Sequence, residues 1–107
     1  MFSKVYSTTI TGITAYVVTV EVDVGRGLPV FDMGGYLSTE VKEAKERVRI
    51  ALRNSGYEQK PRRITVNISP ADIHKYGTGF DLPIAIGILG SGAITRKFYS
   101  WINRFMP

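Results

Sequence analysis

The chain contains no cysteine, one histidine and one tryptophan. Without cysteine there is neither a disulfide framework nor a thiolate ligand for zinc, and the cytoplasm is the expected compartment. With His74 as the sole histidine, no Ser-His-Asp triad and no histidine-rich metal centre can be assembled, so neither a metal nor another cofactor is expected. His74 lies beside Lys75 in a polar stretch and reads as an exposed loop residue. No apolar run approaches the roughly 20 residues of a membrane-spanning helix, so no membrane partner is expected. Met1 to Ile10 alternates in character around Lys4 and lacks the apolar segment of a secretory leader. Repeats and low-complexity tracts are missing too.

What remains is one domain's worth of chain, 107 residues with a net charge of +5. The charge is uneven. Residues 1–46 carry four bases against six acids, whereas residues 47–107 carry ten bases against three acids. Arg47, Arg49, Arg53, Lys60, Arg62 and Arg63 are close in sequence. They make either one patch for phosphates or a solvated helix face followed by a solvated loop.

Period-two patterning places strands at Val5–Ile10 and Thr14–Val24, the second with Val18, Val20, Val22 and Val24 on one face and Thr19, Glu21 and Asp23 on the other. A third run, Leu28–Met33, follows the Gly25-Arg26-Gly27 turn, which predicts a hairpin between the last two runs. Pro29 points to an edge position or the start of a strand. After Gly34-Gly35, Ser38 or Thr39 is placed to cap a long helix reaching about Ser55. Its apolar stripe is Leu37, Val41, Ala44, Val48, Ala51 and Leu52, and Glu43 and Arg47 form an i,i+4 pair on the charged side. Ile64, Val66 and Ile68 alternate with Thr65, Asn67 and Ser69 as a fourth strand over Arg63–Ser69.

The stretch Pro70–Leu89, PADIHKYGTGFDLPIAIGIL, organises the rest. Gly77 and Gly79 bend a polar loop that runs into an apolar helix, with Asp81 expected as its N-cap and Pro83 in its first turn. That helix is apolar nearly all round, so burial of most of its surface is expected, with Ile84, Ile86 and Ile88 sharing a core with Val41, Ala44, Val48 and Leu52. A glycine loop at a helix start can hold a phosphate, but the Asp81 carboxylate occupies that positive end, which favours a capped turn. Asp72 and Asp81 flank the loop as a carboxylate pair in which capping competes with acid–base work. Beyond Gly92, Ile94, Phe98, Trp101, Ile102 and Phe105 recur at helical spacing among Arg96, Lys97 and Arg104. This tail is either a helix docked on the domain or a basic amphipathic segment for a membrane surface or partner. The order β-β-β-α-β-α implies an α+β two-layer sandwich, a mixed sheet with both helices on one face.

The segments VTVEVDVGRGLPVFDMGGY, EVKEAKERVRIALRNSGY and RRITVNISPADIHKYGTGFDLPIAIGIL resemble, in order and spacing, the N-terminal domain of the Mg-chelatase-like ComM and YifB group. The resemblance covers about two-thirds of the chain. It implies a ribosomal protein S5 domain 2-like fold, shared with the Lon protease domain, over residues 1–93, followed by a tail, 94–107, unlike the group's usual continuation. It also implies an accessory role beside an AAA+ ATPase that acts on DNA as a hexameric branch-migration helicase in natural transformation. DNA, an AAA+ domain or further copies of the chain are thus the implied partners. The candidate nucleic-acid-binding residues are Arg47, Arg53, Lys60, Arg62 and Arg63, and the motif-loop residues are Pro70, Asp72, Gly77, Gly79, Asp81 and Pro83. No Walker A lysine motif is present, so ATP hydrolysis does not carry over. The Lon-type nucleophile would fall near Asp81, which is not serine, and the Lon lysine has no matching position, so no enzymatic activity is expected.

Overall fold

The computed structural model describes residues 2–57 and 62–91. In chain order the elements are β1 (Phe2–Thr11), β2 (Thr14–Gly25), β3 (Phe31–Gly34), α1 (Thr39–Lys42), α2 (Ala44–Asn54), β4 (Arg63–Ser69) and α3 (Asp81–Gly90). The four strands form one mixed sheet in the order β1-β2-β4-β3. The helices cover one of its faces, giving an α+β two-layer arrangement. No described helix is long and apolar enough to cross a membrane.

The strand pairing differs from the expected hairpin. β1 and β2 are the hairpin, antiparallel from Phe2↔Asp23 to Thr11↔Thr14. Their loop, Gly12-Ile13, has the two-residue length that suits strand twist, with Gly12 at φ +62. β2 then pairs antiparallel with β4, and β3 pairs parallel with the far side of β4 through the α1–α2 crossover that a parallel pair requires. An alternating pattern fixes which face a residue occupies and leaves the neighbouring strand open, so adjacency in sequence misled here. Pro29 precedes β3, which is an edge strand as its position suggested.

Val18, Val20, Val22 and Val24 of β2 join Val66 and Ile68 of β4 and Phe31 of β3 under the helices. From the helix layer come Val41, Ala44, Val48, Leu52, Ile84 and Ile88, all buried. Each of the Val, Leu and Ile side chains among these, removed from water, contributes about 1.5–3 kcal/mol. Gly87 lets α3 lie close to the sheet: a Cβ there would collide with the Val22 side chain, coming within 3.2 Å of its Cβ. Small size is required at that contact.

Two helical expectations change in detail. The first helix is interrupted at Glu43, giving α1 and α2, with Ser38 as the cap that receives the Val41 N–H at 3.3 Å. Leu82 and Ile86 of α3 are 68% and 46% exposed, so α3 is buried on one side only and Ile86 stands outside the shared core. Among the described residues the sheet is covered on one face only, and nothing lies over the outer side of α3. The tail 94–107 and Lys60 lie outside the described residues.

Candidate functional site

At the end of β4 the chain enters the motif loop through a cis Ser69–Pro70 bond. Lys75 is the centre of this loop: its side chain is completely buried, and its ammonium donates to the Pro70 carbonyl. The Lys75 backbone is tied as firmly, its N–H donating to Tyr36 O at 2.8 Å and its carbonyl accepting from Ser38 N–H at 2.9 Å. A short parallel bridge between Leu37 and Lys75 results, which fixes the loop against the start of α1. Burial pushes the Lys75 ammonium below its ordinary value, and the charge of Asp72 opposes that shift. The buried lysine was not legible in the sequence, because lysine in a polar loop carries no sign of burial.

With Leu37 and Lys75 turned inward, their neighbours turn outward. The Tyr36 and His74 rings meet at a tilt of 49° with centroids 4.6 Å apart, and the His74 ring centroid lies 5.9 Å from that of Tyr76. His74 is exposed, as expected of it. The Tyr76 hydroxyl donates to Ile10 O at 2.5 Å, bracing the loop against β1. Gly77 adopts φ +88 in open space, a conformation that a side chain would strain, whereas Gly79 does not need one.

Asp81 is not the N-cap of α3. Phe80 holds that position without a side-chain cap, Asp81 is the first helical residue, and Pro83 sits in the first turn. The Asp81 carboxylate instead receives Arg47 in a two-pronged ion pair, Nε at 2.6 Å and Nη2 at 3.0 Å. Arg47 Nη2 also donates to Glu40 O at 2.8 Å, and Glu43 lies 4.0 Å away. The hydrogen bond from Arg47 to Asp81 is the main reason the guanidinium is held above its ordinary value. Such planar pairing fixes orientation as well as charge. It joins the crossover helix to the motif loop and engages both carboxylate oxygens of Asp81. Asp72 is exposed in a turn.

The expected basic set therefore divides. Arg47 is committed to Asp81, and Lys60 lies outside the described residues. Arg53, Arg62 and Arg63 fall at the opposite end of the sheet from the motif loop. Arg63 opens β4 opposite Gly25, and its Cβ lies 3.9 Å from where a Gly27 Cβ would be, which brings Arg26 into the same neighbourhood. Arg53 is in the last turn of α2, the helix that leads back to the start of β4. Arg49 pairs with Glu46 at 3.7 Å. No ion pair links Arg26, Arg53, Arg62 or Arg63 to another described residue. Among the described residues there is also no cluster of three metal-ligating side chains.

Comparison with known proteins bears on the loop and its surroundings together. Residues 20–103 match the family described as subunit ChlI of Mg-chelatase. The chain is 47% identical over 89 residues to the uncharacterised protein YifB of Escherichia coli, covering 83% of this chain and 18% of that protein. It is 49% identical over 87 residues to the competence protein ComM of Haemophilus influenzae, covering 81% and 17%. An uncharacterised protein of Mycobacterium bovis, Mb2921c, is 30% identical over 88 residues, 82% of this chain and 18% of its own. The chain spans less than a fifth of the length of these relatives. From strand β2 through the motif loop to α3 it belongs to the Mg-chelatase-like ComM and YifB family, whose N-terminal domain it represents.

Proposed function

We propose that this chain is a non-catalytic accessory domain of the ComM type that engages DNA weakly and without sequence preference, beside an AAA+ ATPase domain. The observation that carries the reading is the basic end of the fold: Arg63, with Arg62 before it, lies beside the turn that holds Arg26, Arg53 is in the last turn of α2, and none of the four has an ion-pair partner among the described residues. Guanidinium groups not used in ion pairs suit phosphates, and contacts of that kind position a duplex without reading its bases. The name of the ComM relative, a competence protein, agrees with a role near DNA. The S5 domain 2-like arrangement belongs to the same reading, supported by the element order and by the helices lying on one face. So does the absence of catalysis: the Lon-type nucleophile would fall near Asp81, which is not serine and is held by Arg47.

Fluorescence anisotropy with a short DNA duplex over a salt series tests the reading. Binding is expected to weaken steeply as salt rises, and changing Arg62 and Arg63 to Ala is expected to lower the log–log slope by about one per lost contact. A second reading, a protein-interaction or oligomerisation module with no nucleic-acid contact, is favoured by the open face of the sheet. That face exposes Tyr6, Ile10 and Val17 beside the acidic Glu21, Asp23 and Asp32. The absence of any DNA signal at low salt would decide for it.

A further inference from the structure

β1 is an edge strand of ten residues, and among the described residues nothing pairs with its outer side. Because the hairpin closes at Thr11↔Thr14 through a two-residue loop, the odd-numbered residues of β1 exchange hydrogen bonds with β2. The N–H and C=O groups of Phe2, Lys4, Tyr6, Thr8 and Ile10 then point away from the sheet. The Tyr76 hydroxyl bears this out by reaching the Ile10 carbonyl from outside the ladder. Among the described residues, nothing pairs with the outward donors and acceptors of the run Phe2–Thr8. Natural edges are usually blunted by proline, bulges or several charges, whereas this one carries Lys4 alone, 3.9 Å from Glu21.

We propose that the domain self-associates by two-fold, antiparallel pairing of β1 with β1 of a second copy. Centred on Val5, the free run complements itself: Phe2 meets Thr8, Lys4 meets Tyr6, and Val5 meets Val5. No like charges oppose one another, and the ammonium of Lys4 is brought to an exposed tyrosine ring of the other copy, a favourable cross-strand contact. A two-fold axis normal to the sheet keeps both helix layers on one side and makes an eight-stranded sheet.

The helix layer fits the same operation. α3 packs on both β1 and β2, and Gly87 and Gly90 both lie against Ser3 of the edge strand. A helix centred between two strands about 4.8 Å apart has its axis about 4.8 Å from the two-fold, so the two α3 helices come to lie roughly 10 Å apart. That is the spacing of packed helices, about 8–10 Å. Ile86, left exposed on α3, stands one helical turn before Gly90, which lies against Ser3 of β1, so it falls on the β1 side of the helix and contributes apolar surface there. A strand pairing alone buries less than the ~1,200 Å² of a standard interface, so the helix contact adds needed area and the dimer is weak and reversible.

Sedimentation equilibrium of the full chain over a concentration series tests this. The wild type is expected to show a monomer–dimer equilibrium. Tyr6→Pro removes an outward N–H that the monomer does not use, so it should abolish the dimer while circular dichroism and the unfolding midpoint stay close to wild type. Ile86→Glu should weaken association about tenfold without touching the strand. A wild type that stays monomeric at its highest soluble concentration overturns the proposal. So does a dimer that survives Tyr6→Pro, or one that is lost with Trp101→Ala while Tyr6→Pro leaves it intact, since the contact would then lie on the tail.

Discussion

β1 and β2 are paired along their whole length, yet they use the two faces of the sheet in opposite ways. β2 turns Val18, Val20, Val22 and Val24 to the helices and keeps Thr19, Glu21 and Asp23 on the open side. β1 turns Ser3, Ser7 and Thr9 inward with Val5, and presents Phe2, Tyr6 and Ile10 to solvent. One strand is built for the core and the other for a surface that is more apolar than its interior side. The inward serine is useful where it sits: Ser3 Oγ donates to the Gly87 carbonyl, so a small polar residue fits under a helix that approaches closely. Amphipathic alternation thus reports a period faithfully but does not say which face meets the core: α3 lies over β1 as well as β2, and on β1 it covers the small polar residues while the apolar ones face out.

Truncations set the two faces against each other most sharply. Ile68→Ala and Ile84→Ala, at positions with no solvent exposure, are each expected to lose about 2–5 kcal/mol in urea unfolding. Ile10→Ala on the outer face of β1, 62% exposed, should stay within about 0.5 kcal/mol. A loss at Ile10 comparable to those at Ile68 and Ile84 would mean that the outer face is covered in solution.

The same contrast explains how much of the molecule was legible beforehand. The face of β2, the stripe Val41, Ala44, Val48 and Leu52, the Ser38 cap and the start of α3 near Asp81 all follow from local periodicity and capping chemistry, and the structure has them. Strand order was not legible, because the placement of β4 between β2 and β3 depends on a crossover and not on neighbouring residues. The exposure of Ile86 was missed because all-round apolarity implies burial only if a second layer exists. Of the candidate site, the loop was visible from its glycines and Pro83, whereas the ion pair from Arg47 to Asp81 joins residues 34 apart and has no local signature.

That ion pair gives the next prediction. Asp81→Asn and Arg47→Gln should each destabilise the fold by less than the core truncations, since both side chains are partly exposed. The double variant should lose less than the sum of the two singles, because each single strands the other partner. Strict additivity in a double-mutant cycle would show that the pair contributes nothing in solution.

The smallest expected effect contrasts Lys75, turned inward, with the exposed bases at the far end of the sheet. Its folded-state value is lowered below the ordinary 10.5, mainly by burial. Between those two values the unfolded chain holds a proton that the folded chain has released, so stability rises with pH through that window. Tyr57 acts in the opposite direction, since burial raises its hydroxyl above the ordinary 10.0 and the unfolded chain then loses its proton first. Stability should therefore climb on the alkaline side as pH approaches 10 and flatten or fall above it. Lys75→Met removes the rising limb and keeps the fall due to Tyr57, whereas Arg63→Met leaves both limbs in place. Unfolding midpoints measured from pH 7 to 10.5 for the three proteins check this, and an unchanged alkaline limb in Lys75→Met would show that the ammonium is solvated in the folded domain.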